Sequence, residues 1–301
     1  MLNDAHCHFF SPQFFTALGR QTTPPSENPA VTIPEQLGWD PPGTPAALAD
    51  RWVKELDRFG VQRAALMASL PGDEESVSIA TRRHPDRFVG LSMVDPTQPG
   101  SPARLTRLFG ELNFRCICLF PAMHGFRLDS AVVEQVFVAA TAAKAAVFVH
   151  CGVLSVGVRR RLGLQTPVDV RRGDPLAIVP VASRYPTVPV IIPHFGAGFL
   201  REALMAADLC ANIHLDTSSS NRWIDYIPGL TLRAVFSQVL HALGPDRLLF
   251  GTDSSFFSRG WQQGIYETQL SILEDLAVGN EARHQILGGN FDRVFSGGPT
   301  A

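Results

Sequence analysis

Short apolar runs recur along the whole chain, and nearly every one is followed by a stretch with helical periodicity. After "NDAHCHFF" at 3–10 come "VQRAALMAS", "RFVGLSMVDP", "FRCICLF", "AAVFVHCG", "VPVIIPHFGAG", "ANIHLDTSSS" and "RLLFGTDSS". Runs that are apolar on both faces read as strands of a parallel sheet covered by helices. The segments between them supply those helices. "TPAALADRWVKELDRFG" carries a threonine cap, apolar residues at helical spacing and a closing glycine. Further helices are expected over "DEESVSIATRRHP", "SPARLTRLFGEL", "DSAVVEQVFVAATAAK" and "DPLAIVPVASRYP", and near 199–209, 231–243, 262–277 and 281–295. Eight such βα units in 301 residues predict an α/β fold closed as a (β/α)8 TIM barrel. An open doubly wound sheet would carry a glycine-rich phosphate turn after its first strand, and the chain reads "HFFSPQF" there.

A chain that is 45% hydrophobic and 18% charged can bury a core of this size. One domain is expected over 1–296, with a short C-terminal tail at 297–301. The stretch at roughly 20–46 is rich in proline. Nothing resembling a domain precedes it, so it reads as an ordered insertion after strand one, above an active site. The formal charge of -2 offers no surface for nucleic acid or membrane. No apolar run reaches membrane-spanning length, and no signal peptide opens the sequence. The five cysteines form no evident paired framework, which points to a reduced, cytoplasmic protein.

In a barrel of this kind, chemistry sits at the carboxyl ends of the strands. Strand one ends in His6 and His8, strand five in His150, strand six in His194 and strand eight in Asp253. On an unbroken strand Asp4 would share the face of His6 and His8, with Ala5 and Cys7 turned away. A histidine closing one strand is commonly structural. Imidazole or carboxylate closing each of these strands at the same rim suggests a shared ligand instead. Neutral imidazole and carboxylate suit zinc and similar divalent ions, which lower the pKa of bound water towards neutrality.

These segments resemble the amidohydrolase superfamily, in the amidohydrolase-related branch that includes aminocarboxymuconate semialdehyde decarboxylase, aromatic acid decarboxylases and several hydrolases. The resemblance rests on "DAHCHFF" at 4–10, "VFVHCG" at 147–152, "IIPHFGAG" at 191–198, "LLFGTDSSF" at 248–256 and "ILGGNFDRVF" at 286–295. It implies that His6, His8, His150 and Asp253 ligate one divalent metal, Zn2+ or Mn2+. It implies that His194 is the acid/base beside it, with Asp253 sharing the proton traffic. Asn290 matches a structural signature. Binuclear relatives use a carboxylated lysine closing strand four, but that strand reads "FRCICLFP", and neither Lys54 nor Lys144 ends a strand. Cys118 and Phe120 occupy positions where relatives carry lysine or histidine.

The implied reaction is hydrolysis of a small substrate through metal-activated water. The alternative is nonoxidative decarboxylation of an aromatic or unsaturated acid on the same scaffold. Arg222 and Arg259 follow strands seven and eight, and Arg159 lies with Arg160 and Arg161 in the loop after strand five. Each is a candidate to hold a substrate carboxylate, since guanidinium pairs with it in bidentate fashion. Trp39, Trp223 and Trp261 are candidates for a pocket wall or for loop packing. His214, Cys7 and Cys151 read as core residues, and the role of His124 is open. The expected partners are a small-molecule substrate and a second copy of the chain.

Overall fold

The computed structural model describes residues 1–296, so the expected tail at 297–301 lies outside the described residues. The eight strands are β1 (Asn3–Phe9), β2 (Arg63–Ala68), β3 (Phe88–Met93), β4 (Cys116–Leu119), β5 (Ala146–Val149), β6 (Val190–Ile192), β7 (Ile213–Asp216) and β8 (Leu248–Leu249). They pair in parallel, in chain order, as one sheet. The sheet returns on itself. Ala5 N–H donates to Phe250 O at 2.9 Å, Asp253 N–H to His6 O at 2.9 Å and His8 N–H to Ser254 O at 2.8 Å. The chain is therefore a (β/α)8 barrel.

Alternation along the strands sorts the core into two layers. Met67, Leu91, Cys116, Cys118, Phe148 and Ile191 fill the interior. Leu66, Ile117, Val147, Val149, Val190 and Ile192 pack outward under the helices. Cys7 and Cys151 belong to this outer layer, and all five cysteines are unpaired and buried. The last helical stretch runs through Asn280–His284, a π-helical turn at Gln285–Gly289 and Asn290–Phe295. Its Phe291, Val294 and Phe295 join the interior layer. Asn290 Nδ2 donates to Leu248 O at 2.7 Å and to Pro245 O at 2.8 Å. It thereby satisfies carbonyls at the start of the very short β8.

Two elements differ from the reading of the sequence. The insertion after β1 begins earlier than residue 20 and contains two short helices, Pro12–Gly19 and Pro29–Gln36. Ser11 caps the first by accepting from Phe14 N–H at 3.0 Å, with Pro12 at the position where a missing N–H costs nothing. The expected helix over "DPLAIVPVASRYP" divides into a 3-10 turn at Pro175–Ile178 and a helix at Val179–Arg184. Pro180 cannot donate back into a continuous ladder, so the α-helix starts there. Among the described residues no helix is long and apolar enough to cross a membrane.

Gly152 shows how closely the rim loops approach one another. Its φ is +71°, and a Cβ there would lie 2.2 Å from Ala197 O. Only glycine fits both demands.

Replacing Asn290 with Ala leaves the Leu248 and Pro245 carbonyls without this donor. We expect a loss of about 1–3 kcal/mol in stability, read from urea denaturation.

Candidate metal centre

The seam between β8 and β1 brings together residues almost the whole chain apart. β1 is not a regular strand. Its pairing with β2 slips between Asp4 and Cys7, so that Asp4 faces Ala64 and Cys7 faces Leu66. The extra residue turns Ala5 and His6 both inward. His8 then lies inward and Cys7 outward. The expectation that Asp4 shares the face of the two histidines is therefore corrected. Asp4 is turned to the outer side, where it accepts from Thr252 N–H at 3.1 Å, Thr252 Oγ1 at 2.5 Å and Trp261 Nε1 at 2.7 Å. It also accepts from His6 N–H at 3.0 Å, across the bulge. Trp261 is consequently a packed, hydrogen-bonded residue and no part of the pocket wall.

Inside the seam, His8 Nε2 lies 2.9 Å and His6 Nε2 3.6 Å from Asp253 Oδ1. One ligand atom from each of His6, His8 and Asp253 falls within 4.8 Å of the others. Asp253 takes a left-handed backbone, φ 60°, a conformation aspartate tolerates better than most residues. Gly251 makes room for this approach, since a Cβ there would meet His6 Cβ at 3.0 Å and Ser218 Cβ at 3.2 Å.

The other nitrogen of each ring is held from behind. His6 Nδ1 lies 2.8 Å from Asp216 Oδ2 and 3.0 Å from Ser218 Oγ. His8 Nδ1 lies 2.6 Å from Ser69 Oγ. An oxygen partner on Nδ1 fixes the ring and directs Nε2 forward, the arrangement typical of metal-bound histidine. Asp216, Ser218 and Ser69 had gone unassigned in the sequence. The available signal was the carboxylate closing β7 in "IHLDTS".

His150 stands outside the tight group but lines the same cavity. Its ring centroid is 5.4 Å from that of His194 and stacks on Phe120 at 5.3 Å. His150 Nδ1 is buried with no hydrogen-bond partner. An orphaned nitrogen beside two imidazoles and a carboxylate suits a divalent ion, which would use it. His194 sits with its centroid 5.1 Å from His6. His194 Nδ1 is 3.1 Å from Ser218 O, so this nitrogen carries the hydrogen and Nε2 is the ring's free nitrogen. His194 N–H also donates to Asp216 Oδ1 at 3.1 Å.

Burial alone would depress His6, but Asp216 and then Asp253 reverse this and raise it to about 9. Burial opposes ionisation of Asp216, yet His6 holds it well below the usual carboxylate range. Asp253 behaves likewise, held down by His8 and His6. Burial pushes His150 down to about 3, and it lowers His194 as well. Asp216 and Asp253 thus favour the cationic form of His6, whereas burial favours the neutral forms of His150 and His194.

The cavity over these groups measures about 1110 Å3. Arg159, Arg222, Arg259, Trp39 and Trp223 all line it. The arginines are not equivalent. Arg159 donates to Gln21 Oε1 at 2.8 Å, Thr166 Oγ1 at 2.9 Å and Gln165 O, so its guanidinium is committed to the loops. Arg259 reaches Gln262 Oε1 at 2.8 Å. Arg222 lines the cavity without a comparable side-chain hydrogen bond among the described residues. His214 is buried deeper in β7 and is pushed down to about 3 by burial and by Arg247. At the end of β4, Cys118 is buried in the interior and Phe120 faces His150; no lysine is present.

The amidohydrolase family profile matches residues 3–296. The chain belongs to the amidohydrolase family. No curated protein sequence matches it. Solved structures similar to this amidohydrolase include 5-carboxyvanillate decarboxylase from Sphingomonas paucimobilis, with TM-score 0.63, 17% identity and coverage of 98% of this chain and 99% of that one. A probable 2-pyrone-4,6-dicarboxylic acid hydrolase from Acinetobacter baumannii gives 0.63 at 14% identity, covering 98% and 99%. Dihydroxybenzoic acid decarboxylase from Polaromonas sp., with bound manganese and 2-nitroresorcinol, gives 0.64 at 16% identity, covering 98% and 97%. At these identities the likeness is one of fold.

A divalent ion held by Nε2 of His6 must displace a proton from an imidazole whose pKa is about 9. Apparent metal affinity should therefore rise with pH, by about tenfold per unit for this one proton, until pH passes about 9. Calorimetry at pH 7 in buffers of different ionisation enthalpy should detect the released proton. Asp216→Asn should weaken metal binding by about 10–100-fold.

Proposed function

We propose that this amidohydrolase is a hydrolase dependent on one divalent ion, Zn2+ or Mn2+, held by His6, His8, Asp253 and His150. The observation that carries the proposal is the convergence of His6 Nε2 and His8 Nε2 on Asp253 Oδ1, with each Nδ1 tied to an oxygen behind it. The ion supplies Lewis-acid polarisation of a substrate carbonyl and acidifies water at neutral pH. The absence of lysine at the end of β4 supports a single ion over a lysine-bridged pair.

His194 is the general base and acid in this reading. Its Nδ1 hydrogen is engaged by Ser218 O, and its lowered pKa keeps Nε2 unprotonated at neutral pH. His194 Nε2 takes a proton from the attacking water and returns it to the leaving group. Asp253 remains ionised and is the second group able to accept the proton of the attacking water. Arg222 holds an anionic group of the substrate at the rim. Arg259 lies near enough to Gln262 to act only after that contact breaks, and Arg159 shapes the loop.

The likeness to two decarboxylases, one with bound manganese, supports a second reading. There the substrate carboxylate leaves as CO2, the electron pair of the broken C–C bond stays on carbon, and His194 or Asp253 passes to that carbon a proton it has first taken from the substrate or from water. The small-molecule substrate is common to both readings. Five unpaired thiols suit the reducing cytoplasm, and we place the protein there. Assembly as a homodimer is part of the same reading, and light scattering can test it.

His194→Ala should retain stoichiometric metal and lose about 10²–10⁴ in turnover. Full activity in that variant removes His194 from the mechanism. Incorporation of 18O from labelled water into an acid product identifies hydrolysis, and CO2 release from an acid substrate identifies decarboxylation.

A further inference from the structure

We infer that the cavity takes a carboxylate carried on an aryl body of two or more rings, which lies along an aromatic wall running from the metal centre to Arg161. This rests on the reading above, because that reading sets the reacting end at the histidines. A carboxylate is the acid product of acyl hydrolysis and the substrate of decarboxylation, so it marks the head of the ligand in either case.

The wall begins at the centre itself. The Phe10 ring centroid lies 5.9 Å from that of His8. Phe14 stacks on Phe10 at 4.0 Å, and the fully buried Phe15 backs the wall from behind, meeting Phe10 edge-on at 6.2 Å. Phe257 follows 5.6 Å from Phe15, and Trp39 stacks on Phe257 at 5.8 Å. Arg161 closes the wall, its guanidinium carbon 5.2 Å over Trp39 and its Nη2 on Leu37 O at 2.6 Å. The loop after β5 adds Leu154, Val156 and Val158 to the same cavity.

These rings come from separate parts of the chain. Phe10 and Phe14 belong to the end of β1 and the first helix of the insertion, Trp39 follows its second helix, and Phe257 lies in the loop after β8. The insertion is therefore part of the binding surface. The cavity of about 1110 Å3 is at the upper end of what small-molecule sites occupy. A one-ring acid seated at the histidines would reach Phe10 but leave water against the half-buried Trp39 and the cavity-facing edge of Phe257, which is unfavourable. A second ring displaces that water and gains ring-to-ring contacts beyond its buried area. A flexible acyl chain would fill the same space, but must be frozen to do so.

The test uses the full chain loaded with Zn2+, its metal content measured first. Benzoate, 2-naphthoate, biphenyl-4-carboxylate and octanoate are titrated in turn by calorimetry. Affinity should rise at least about tenfold from benzoate to biphenyl-4-carboxylate, with octanoate weaker than the biphenyl acid. Trp39→Ala and, separately, Phe14→Ala should each bring the biphenyl-to-benzoate ratio below about threefold. Equal affinity for benzoate and biphenyl-4-carboxylate, tighter binding of octanoate than of the biphenyl acid, or a ratio unchanged in either variant that folds overturns the aryl subsite. If either variant fails to fold, the series on the unsubstituted protein decides alone. Stoichiometric metal without ring-size dependence rejects the subsite only, whereas absence of stoichiometric metal rejects the reading beneath it.

Discussion

Asp4 stands where the first strand meets the last, and the centre is organised around its carboxylate. It gathers Thr252 from the β8 loop, Trp261 from the loop beyond and the backbone N–H of His6 from its own strand. The two hydrogen bonds from Thr252 fix the residue next to Asp253. That from the His6 N–H stabilises the bulge that turns His6 inward. Burial pushes the Asp4 pKa up, but every one of these partners donates to it, and a buried carboxylate needs such partners to remain in place. The two sides of the centre thus reach their positions through one group that never enters the cavity.

Electrostatics then divides the histidines by role. His6 lies between Asp216 and Asp253, which favour its cationic form in the metal-free protein. A divalent ion at that point would replace one positive charge with two, so the carboxylates that stabilise imidazolium would also favour a metal. His150 and His194 have no comparable carboxylate at hydrogen-bond distance to their side chains, and burial keeps them neutral. Neutral rings are what ligation and proton transfer at pH 7 require. Ser218 links the two halves, since its hydroxyl lies 3.0 Å from both His6 Nδ1 and His194 Nδ1.

The strands, their order and the positions of His6, His8, His150, His194 and Asp253 were legible because each apolar run ends in a polar residue. The second layer of the centre was not. Ser69 and Ser218 look like ordinary loop residues until the strands they follow become neighbours of β1 and β6. Asp4 was misplaced for a local reason: period-two alternation holds only while the pairing stays in register, and a bulge leaves no distinct trace in composition. The helix at Pro12–Gly19 does leave one, the serine followed by proline that opens a capped helix. The arginines were equivalent as letters, and only their hydrogen bonds separate Arg159 from Arg222.

The sequence by itself determined the class of fold, the family and the chemical types that meet at the barrel mouth, because hydrophobic periodicity and the residue closing each strand are local properties. Tertiary structure decided which nitrogen of each histidine faces the cavity, which of the candidate arginines the loops hold by hydrogen bonds and which aromatic rings line the wall. Those outcomes depend on contacts between segments up to some 250 residues apart, such as Asp4 with Thr252 and Trp261. Such contacts exist only once the last strand has closed against the first.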